Sequence, residues 1–342
     1  MRYDALLVVS FGGPESNDEV LPFLENVLRG KNVPRERMLA VAEHYYHFGG
    51  KSPINDQNRR LIAALQSELE RNGPKLPIYW GNRNWHPLLH DTLELMKKDR
   101  IHRALAFVTS AFSSYSGCRQ YRENIAQAQA RVGANAPAID KLRVFYNHPG
   151  FIGPMSERVR TALSELPSQG RGRSLVLYTA HSVPLSMAES SSYVMQLEEA
   201  CQLVSAALGR ANDRLVFQSR SGPTSQPWLE PDILDTLREV KSANLADGVV
   251  IAPIGFISDH MEVLYDLDTE AKELCVDIGL PMVRAGTVGT HPGFVRMIRD
   301  LIVERTSENP LPLALGTLGP SHDVCPEDCC PAPYRAGVTS RS

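Results

Sequence analysis

Short runs of consecutive apolar residues constrain the fold of this chain more than any other feature of its sequence. Runs of this kind are typical of parallel strands that helices cover on both faces. They are Ala5–Val9, Ala104–Val108, Leu175–Tyr178, Leu215–Phe217 and Val249–Ile254. Amphipathic stretches of helical length lie between them, at Asn58–Arg71, Met187–Leu208, Asp232–Lys241 and Glu262–Cys275. This alternation predicts an α/β fold built from doubly wound parallel sheets.

Two strand ends suggest that the chain consists of two similar lobes. Residues 8–14 read VVSFGGP and residues 178–184 read YTAHSVP, so that Phe11 and His181 each precede a proline by three positions. A His-Pro-Gly turn at residues 148–150 interrupts the pattern between them. We therefore predict an N-terminal α/β lobe over residues 1–147, a C-terminal α/β lobe over residues 148–305 and a cysteine-containing extension over residues 306–342.

The predicted fold also indicates where a ligand would bind. Open α/β sheets bind their ligands outside the carboxyl ends of the strands. That rule predicts a single cleft between the lobes, lined by Phe11, the segment after Val108, His181 and the segment after Ile254.

Charge and motifs exclude several classes of protein. The net charge is −3 and no long run of Lys or Arg occurs, so we expect no nucleic-acid partner. The sequence begins without the basic region of a secretory signal, and no apolar stretch approaches the roughly 20 residues of a membrane span, so we expect a cytoplasmic protein without a transmembrane segment. A glycine-rich dinucleotide fingerprint is absent after the first strand. The GKS at residues 50–52 has Tyr45 at the first glycine position of a Walker A loop and is followed by Pro53, so we expect no nucleotide cofactor.

A histidine and a row of acids are the candidate reactive groups. His181 ends a buried strand, where it is either a base and metal ligand or a core histidine bonded to a backbone carbonyl. Glu262, Asp266 and Glu270 are spaced by four and would lie within ~80° of one another around a helix. They form either a path for a cation or a solvated acidic face at a helix N-terminus. The nearby His260 favours the cation, since imidazole and carboxylate together suit a divalent ion.

Six segments, in order, resemble the ferrochelatase family up to about residue 305. They are residues 6–14 (LLVVSFGGP), 49–55 (GGKSPIN), 81–87 (GNRNWHP), 178–184 (YTAHSVP), 217–222 (FQSRSG) and 255–268 (GFISDHMEVLYDLD). The resemblance implies two Rossmann-like lobes around a porphyrin cleft. It also implies an enzyme of haem biosynthesis that inserts Fe²⁺ into a free-base porphyrin and releases two protons.

The resemblance assigns roles to individual residues. It implies that His181 and Glu262 are catalytic and bind the substrate iron, and that Asp266 and Glu270 form an iron delivery track. These residue types suit the reaction, because a base must remove the pyrrole protons while an anionic partner offsets the charge of the incoming metal. The porphyrin-binding residues that it implies are Phe11, Arg29, Tyr45, Ser52 and Tyr121.

Two departures from the family pattern and one sequence segment indicate the substrate. Phe11 stands where some bacterial relatives carry a tyrosine, and His44 stands where relatives often have an arginine for a propionate. Together with Phe11, residues 112–124 (FSSYSGCRQYREN) resemble the actinobacterial branch that uses coproporphyrin III. We therefore expect a monomeric coproporphyrin III ferrochelatase. The alternatives are a protoporphyrin IX ferrochelatase, a chelatase for another tetrapyrrole or a metal such as cobalt, and a non-catalytic haem or porphyrin carrier.

The C-terminal cysteines suggest a metal centre. Some ferrochelatases hold a [2Fe–2S] cluster with three cysteines of a C-terminal tail and one of the body. Zinc is an equally compatible occupant on spacing alone, and a disordered tail with surface thiols is the third possibility. Cys201 and Cys275 have apolar neighbours and are expected to be small core residues. The cluster ligands implied by the resemblance are Cys118, Cys325, Cys329 and Cys330.

Overall fold

The strands form two separate parallel sheets. The computed structural model describes residues 3–31, 33–222 and 225–332, so that residues 333–342 of the predicted extension lie outside the described residues. Among these residues the strands make two four-stranded sheets, which confirms the predicted fold class. The first sheet contains β1 (Ala5–Ser10), β2 (Ile78–Asn82), β3 (Arg103–Val108) and β4 (Ala138–Lys141). The second contains β5 (Ser174–His181), β6 (Arg214–Gln218), β7 (Gly248–Ala252) and β8 (Met282–Arg284).

Helices connect and cover these strands. No helix of the described chain is both long enough and apolar enough to span a membrane. The helices of the first half are α1 (Asn17–Leu28), α2 (Arg35–His47), α3 (Ile54–Asn72), α4 (Leu89–Lys98) and α5 (Gln120–Val132). The helices of the second half are α6 (Pro149–Glu165), α7 (Ser168–Arg171), α8 (Leu185–Glu189), α9 (Tyr193–Ala207), α10 (Ile233–Ser242), α11 (Met261–Val263), α12 (Lys272–Asp277) and α13 (Pro292–Thr306). Two π-helical segments, Tyr115–Arg119 and Leu264–Ala271, lead into α5 and α12.

The two halves repeat the same topology. Each sheet has the order second, first, third and fourth strand, namely β2-β1-β3-β4 and β6-β5-β7-β8. The repeat extends to the starts of α6 and α13, where His148 Nδ1 accepts a hydrogen bond from the Gly150 amide and His291 Nδ1 accepts one from the Gly293 amide. A proline occupies the first helical position in both, where its fixed φ favours the helix and no amide donor is missed.

One hydrophobic core joins both sheets. Its members include Leu105 of β3, Tyr178 of β5, Phe151 of α6 and Ile298 of α13, none of which is exposed. Burial of each such side chain stabilises the fold by about 1.5–3 kcal/mol. Separate clusters cover the outer face of each sheet. The inner faces are therefore packed into a continuous interior, while the carboxyl ends of the strands remain available for a site.

Some elements differ from the sequence-based prediction. The apolar runs do not predict β2, β4 or β8, which lie at sheet edges and are partly exposed rather than covered on both faces. The prediction of one helix over Met187–Leu208 is wrong, because the chain breaks between α8 and α9. There the hydroxyls of Ser190 and Ser191 donate to the Met187 carbonyl (3.1 and 3.0 Å) and compete with helical hydrogen bonds.

Candidate active site

The candidate site lies where strands of both sheets end. Phe11 follows β1, His181 is the last residue of β5, and the segment after β7 leads to Glu262. This segment runs close to β5, since a Cβ on Gly255 would lie only 2.7 Å from the Ala180 Cα atom. The sequence predicts this edge as the ligand cleft, and the structure brings His181 and Glu262 together there.

His181 is held so that one ring nitrogen faces the acids. Its Nδ1 contacts the Ser182 carbonyl oxygen, which can only accept a hydrogen bond, so Nδ1 carries a proton. Its Nε2 lies 3.8 Å from a carboxylate oxygen of Glu262, and His260 Nδ1 lies 3.9 Å from the other oxygen. His181 therefore makes the backbone contact expected of a core histidine and still presents Nε2 to the cleft.

His181 and Glu262 form an ion pair. Burial lowers the pKa of His181, but the Glu262 carboxylate, together with the Ser182 carbonyl and the charge of Asp266, outweighs this effect and raises it to about 9. Burial likewise raises the pKa of Glu262, and the His181 imidazolium reverses the shift and lowers it to about 2. Burial lowers the pKa of His260, so this imidazole is neutral at pH 7. The side chains of His181 and Glu262 are 32% and 50% exposed, so an incoming ion can reach the pair.

The predicted delivery track continues along the π-helical segment. Asp266 Oδ2 accepts hydrogen bonds from the Ser219 hydroxyl and from Gln218 Nε2 (3.2 Å). Burial raises the pKa of Asp266 to about 7, and the charges of Glu262 and Glu270 act in the same direction. Glu270 lies at the exposed outer end, where loss of part of its hydration and the charges of Asp232 and Glu273 raise its pKa. These carboxyl groups interact with one another and offer a cation a sequence of negative sites.

Gln218 and Ser219 are site residues that sequence reasoning misses. Both lie in the FQSRSG segment at the carboxyl end of β6, which pairs with the strand that carries His181. The rule that ligands bind at the carboxyl ends of strands could have selected them.

Aromatic and cationic residues of the N-terminal half lie against one another. The Arg83 guanidinium lies 4.4 Å from the ring centre of Tyr121 and 5.7 Å from that of Phe11. Arg83 Nε donates to Asn124 Oδ1 (2.7 Å), which orients the guanidinium. Arg83 lies in the GNRNWHP segment but was not among the predicted porphyrin contacts. The structure shows that it touches two of them.

The other predicted porphyrin contacts differ in their burial and in their surroundings. Tyr45 is near enough to Glu262 for that charge, together with burial, to raise its pKa. Ser52 is only 2% exposed, and its amide donates to the Pro14 carbonyl. Arg29 follows α1 and lines a groove of about 600 Å³ together with Arg83. Their roles toward the porphyrin stay predictions.

His44 and Tyr265 bridge the two halves. Their rings stack with centres 3.5 Å apart at an angle of 7°, so α2 contacts the π-helical segment across the cleft. Burial and the Arg37 charge lower the pKa of His44. A neutral ring in a stack replaces the cation that an arginine would supply at this position.

The four predicted cluster cysteines meet at the start of α5. Cys118 is 4% exposed, and contact with the Cys325 thiol, together with burial, raises its pKa. The Cys329 sulfur lies 3.6 Å from the Cys330 sulfur and 3.6 Å from His322 Nε2. His322, which the sequence analysis did not select, offers a ligand atom within 4.8 Å of the ligand atoms of Cys325 and Cys329. Cys201 and Cys275 are buried in hydrophobic clusters elsewhere.

Comparison with solved structures places the fold among the chelatases. The chain is similar to the sirohydrochlorin chelatase SirB from Bacillus subtilis subspecies spizizenii in complex with cobalt, with a TM-score of 0.50 and 12% identity over 89% of this chain and 95% of that one. At that identity the likeness concerns the fold alone.

Sequence comparison defines the family. Residues 3–306 match the ferrochelatase family model. A ferrochelatase from Rhodopirellula baltica is 60% identical over 96% of this chain and 93% of its own, and a coproporphyrin III ferrochelatase from Streptomyces coelicolor is 50% identical over 99% and 97%. The chain belongs to the ferrochelatase family. It is an enzyme of haem biosynthesis that inserts iron into a porphyrin.

Proposed function

We propose that this enzyme inserts Fe²⁺ into coproporphyrin III and that His181 and Glu262 carry out the insertion. The ion pair at the ends of the strands supports the assignment of residues, because it combines an imidazole that can release and take up a proton with an anion, and both side chains are partly exposed. The substrate is supported by relatives named coproporphyrin III ferrochelatase, which are 45–50% identical to this chain.

The mechanism begins with the exchange of a proton for iron. At neutral pH the pair holds a proton on His181 Nε2, opposite Glu262. An Fe²⁺ ion that approaches Glu262 repels the imidazolium, which releases its proton to solvent and presents a neutral nitrogen to the ring. His181 then accepts a pyrrole proton while Glu262 offsets the charge of the metal. His181 passes this proton to solvent and then accepts the second pyrrole proton, so both protons leave the site and the porphyrin dianion balances the charge of the metal.

Asp266 would connect this centre with solvent. With a pKa of about 7, its carboxyl group can take up and release a proton near neutral pH. Its hydrogen bonds to Gln218 and Ser219 fix its position next to Glu262. Asp266 and Glu270 thus attract the cation, and Asp266 also provides an exit for protons.

Parallel insertion assays test the substrate. Purified protein is given Fe²⁺ under anaerobic conditions with coproporphyrin III or protoporphyrin IX, and insertion is followed by the shift of the Soret band. We expect a higher kcat/KM for coproporphyrin III. A higher value for protoporphyrin IX would contradict the assignment.

Replacement of His181 tests the site. His181→Ala should reduce kcat by about 10² to 10⁴ while the folded protein still binds porphyrin. His291→Ala is the matched control, since His291 caps α13. If turnover of His181→Ala stayed within a few-fold of the wild type, the histidine would have only a structural role.

We also propose that the cysteines hold a [2Fe–2S] cluster. The contacts among Cys118, Cys325, Cys329 and Cys330 support this, because four thiolates are the usual ligands of such a cluster. The centre would supply one-electron redox chemistry when bound. It would also tie the tail to α5, and binding energy at a site absent from the unfolded chain stabilises the fold.

Colour and composition test the cluster. Protein purified anaerobically should be reddish-brown and contain about two irons and two sulfides per chain. Serine at Cys118 or Cys325 should bleach the visible bands, whereas Cys201→Ser should leave them intact. A colourless protein that contains zinc, or a Cys118→Ser variant with full colour, would contradict this ligand set.

We further propose that the enzyme acts as a monomer in the cytoplasm. All the groups proposed for insertion come from one chain. Light scattering at several protein concentrations and cell fractionation test these two statements.

A further inference from the structure

Three buried polar residues lie in one sector of α9, a helix that contributes no group to the proposed chemistry. Tyr193, Gln196 and Glu199 are 7%, 6% and 7% exposed. Steps of three residues place them within about 120° of the helix circumference. Buried polar groups destabilise a protein unless each of them finds a partner. The partners of these side chains therefore indicate what this side of α9 holds in place.

Tyr193 supports the catalytic strand end. Its hydroxyl donates a hydrogen bond to the main-chain carbonyl of His181 (3.0 Å). The ring is buried against Phe112, with ring centres 6.3 Å apart in an edge-to-face arrangement. Tyr193 thus restrains the backbone that carries the imidazole, without touching substrate.

Gln196 fixes the loop after β3 in the other half. Its Oε1 accepts from the Ser113 amide (2.7 Å), and its Nε2 donates to the Ser113 hydroxyl (3.0 Å). This loop leads into the π-helical segment Tyr115–Arg119, where the Ser116 carbonyl accepts a hydrogen bond from Arg83 (3.3 Å). Since Arg83 lies over the rings of Phe11 and Tyr121, Gln196 is connected with two of the predicted porphyrin contacts.

Glu199 holds residues 313–319, here called the strap. One carboxylate oxygen accepts hydrogen bonds from the amides of Thr317 (2.7 Å) and Leu318 (2.9 Å). Gly316 lies so close that a Cβ there would be 2.5 Å from that oxygen. The other oxygen accepts from Asn147, which also donates to the Gly319 carbonyl (2.8 Å). Without the strap, the buried carboxylate would lose its main-chain donors.

We propose that Tyr193 and Gln196 are positioning residues for iron insertion and that Glu199 couples them to the strap, so that docking of the strap sets the position of α9. The strap precedes the cysteines of the tail in the chain. This arrangement gives the C-terminal extension a role in insertion that is independent of whether the metal centre exchanges electrons. The inference rests on the proposed role of His181.

Three variants test the proposal. Loss of one hydrogen bond corresponds to a change of about 3- to 10-fold. Tyr193→Phe should lower kcat by that factor with little change in the KM for porphyrin. Gln196→Met removes two hydrogen bonds and should instead raise the KM for porphyrin by at least that factor, with less effect on kcat. Glu199→Gln should produce both changes and faster hydrogen exchange in the strap.

Controls separate positioning from stability. Gln202→Met makes the same change as Gln196→Met at an exposed position of α9 and should leave both constants unchanged. The proposal is overturned if Tyr193→Phe and Gln196→Met lower the melting temperature but show wild-type kcat and KM when they are assayed below that temperature. His181→Ala is assayed in parallel. If it retains turnover, the proposed function fails, whereas its loss of turnover beside unaffected α9 variants refutes only this inference.

Discussion

Replacing Glu262 with glutamine should change the proton affinity of His181 by an amount that the structure allows us to calculate. Glu262→Gln keeps the shape of the side chain and removes its charge. The carboxylate favours the imidazolium, so its removal must lower the pKa of His181 from about 9. In the wild type His181 is mostly protonated between pH 7 and 8, whereas in the variant a larger fraction of it should be neutral in this range.

The distance between the two groups sets the magnitude. At 3.8 Å, two unit charges interact by about 1 kcal/mol in water and by about 4 kcal/mol at an effective dielectric constant of ~20. Because 1.36 kcal/mol corresponds to one pH unit, the pKa should fall by about one to three pH units. Partial exposure of both side chains favours a value below the upper limit.

Nuclear magnetic resonance can measure this change directly. Protein labelled in its histidine rings is titrated between pH 5 and 10, and the His181 signal is assigned by its loss in His181→Ala. Glu273→Gln, an exposed change on α12, is the matched control and should not move the midpoint. A midpoint for Glu262→Gln within about half a pH unit of the wild type would refute the ion pair as the cause of the raised pKa.

Further predictions concern the acidic track and the fold. In the wild type the KM for iron should fall as pH rises through about 7, where Asp266 ionises, and Asp266→Asn should remove this dependence in steady-state assays. Glu270→Gln should raise the KM for iron mainly at low salt, with kcat unchanged; equal losses of kcat in this variant and in Asp266→Asn would contradict a delivery track. Arg143→Met should lower the free energy of unfolding by about 3–5 kcal/mol, because Glu304 would remain as a buried charge without its partner. Denaturant unfolding measures this loss, and Arg173→Met, which breaks an exposed pair, should lower the free energy of unfolding far less.

The sequence predicted the parts of the fold whose burial is complete. Strands such as β1 and β7, covered on both faces, read as unbroken apolar runs, and the rule for strand ends then selected His181. The edge strands β2, β4 and β8 lack that signal because their side chains are partly exposed, whereas the edge strand β6 is buried enough at Val216 and Phe217 to keep it. The serines after Glu189 indicate the break between α8 and α9, since hydroxyls near a helix end compete for its carbonyls.

The spatial arrangement of interacting residue pairs could not be obtained from the sequence. The spacing of Glu262 and Asp266 indicated one helical face, but not the π-helical turn between them, because local propensity rarely predicts such a turn. The second His-Pro-Gly motif, at residues 291–293, was visible in the sequence and would have located the repeated start of α13. The stack of His44 on Tyr265 depends on how distant segments meet, so no local pattern encodes it.

The shared core limits how this protein can be recombined with its relatives. Phe294 of α13 packs against Phe107 of β3 and against Phe145, with ring centres 6.4 and 5.8 Å apart. A chimaera joined at residue 147 would set the inner face of one parent against that of another, with no space to absorb a mismatch. Grafts that retain α6, α13 and both inner sheet faces from one parent, and exchange only the outer helices, keep this contact intact. The unit of exchange in this architecture is therefore a layer of the protein rather than a half of its chain.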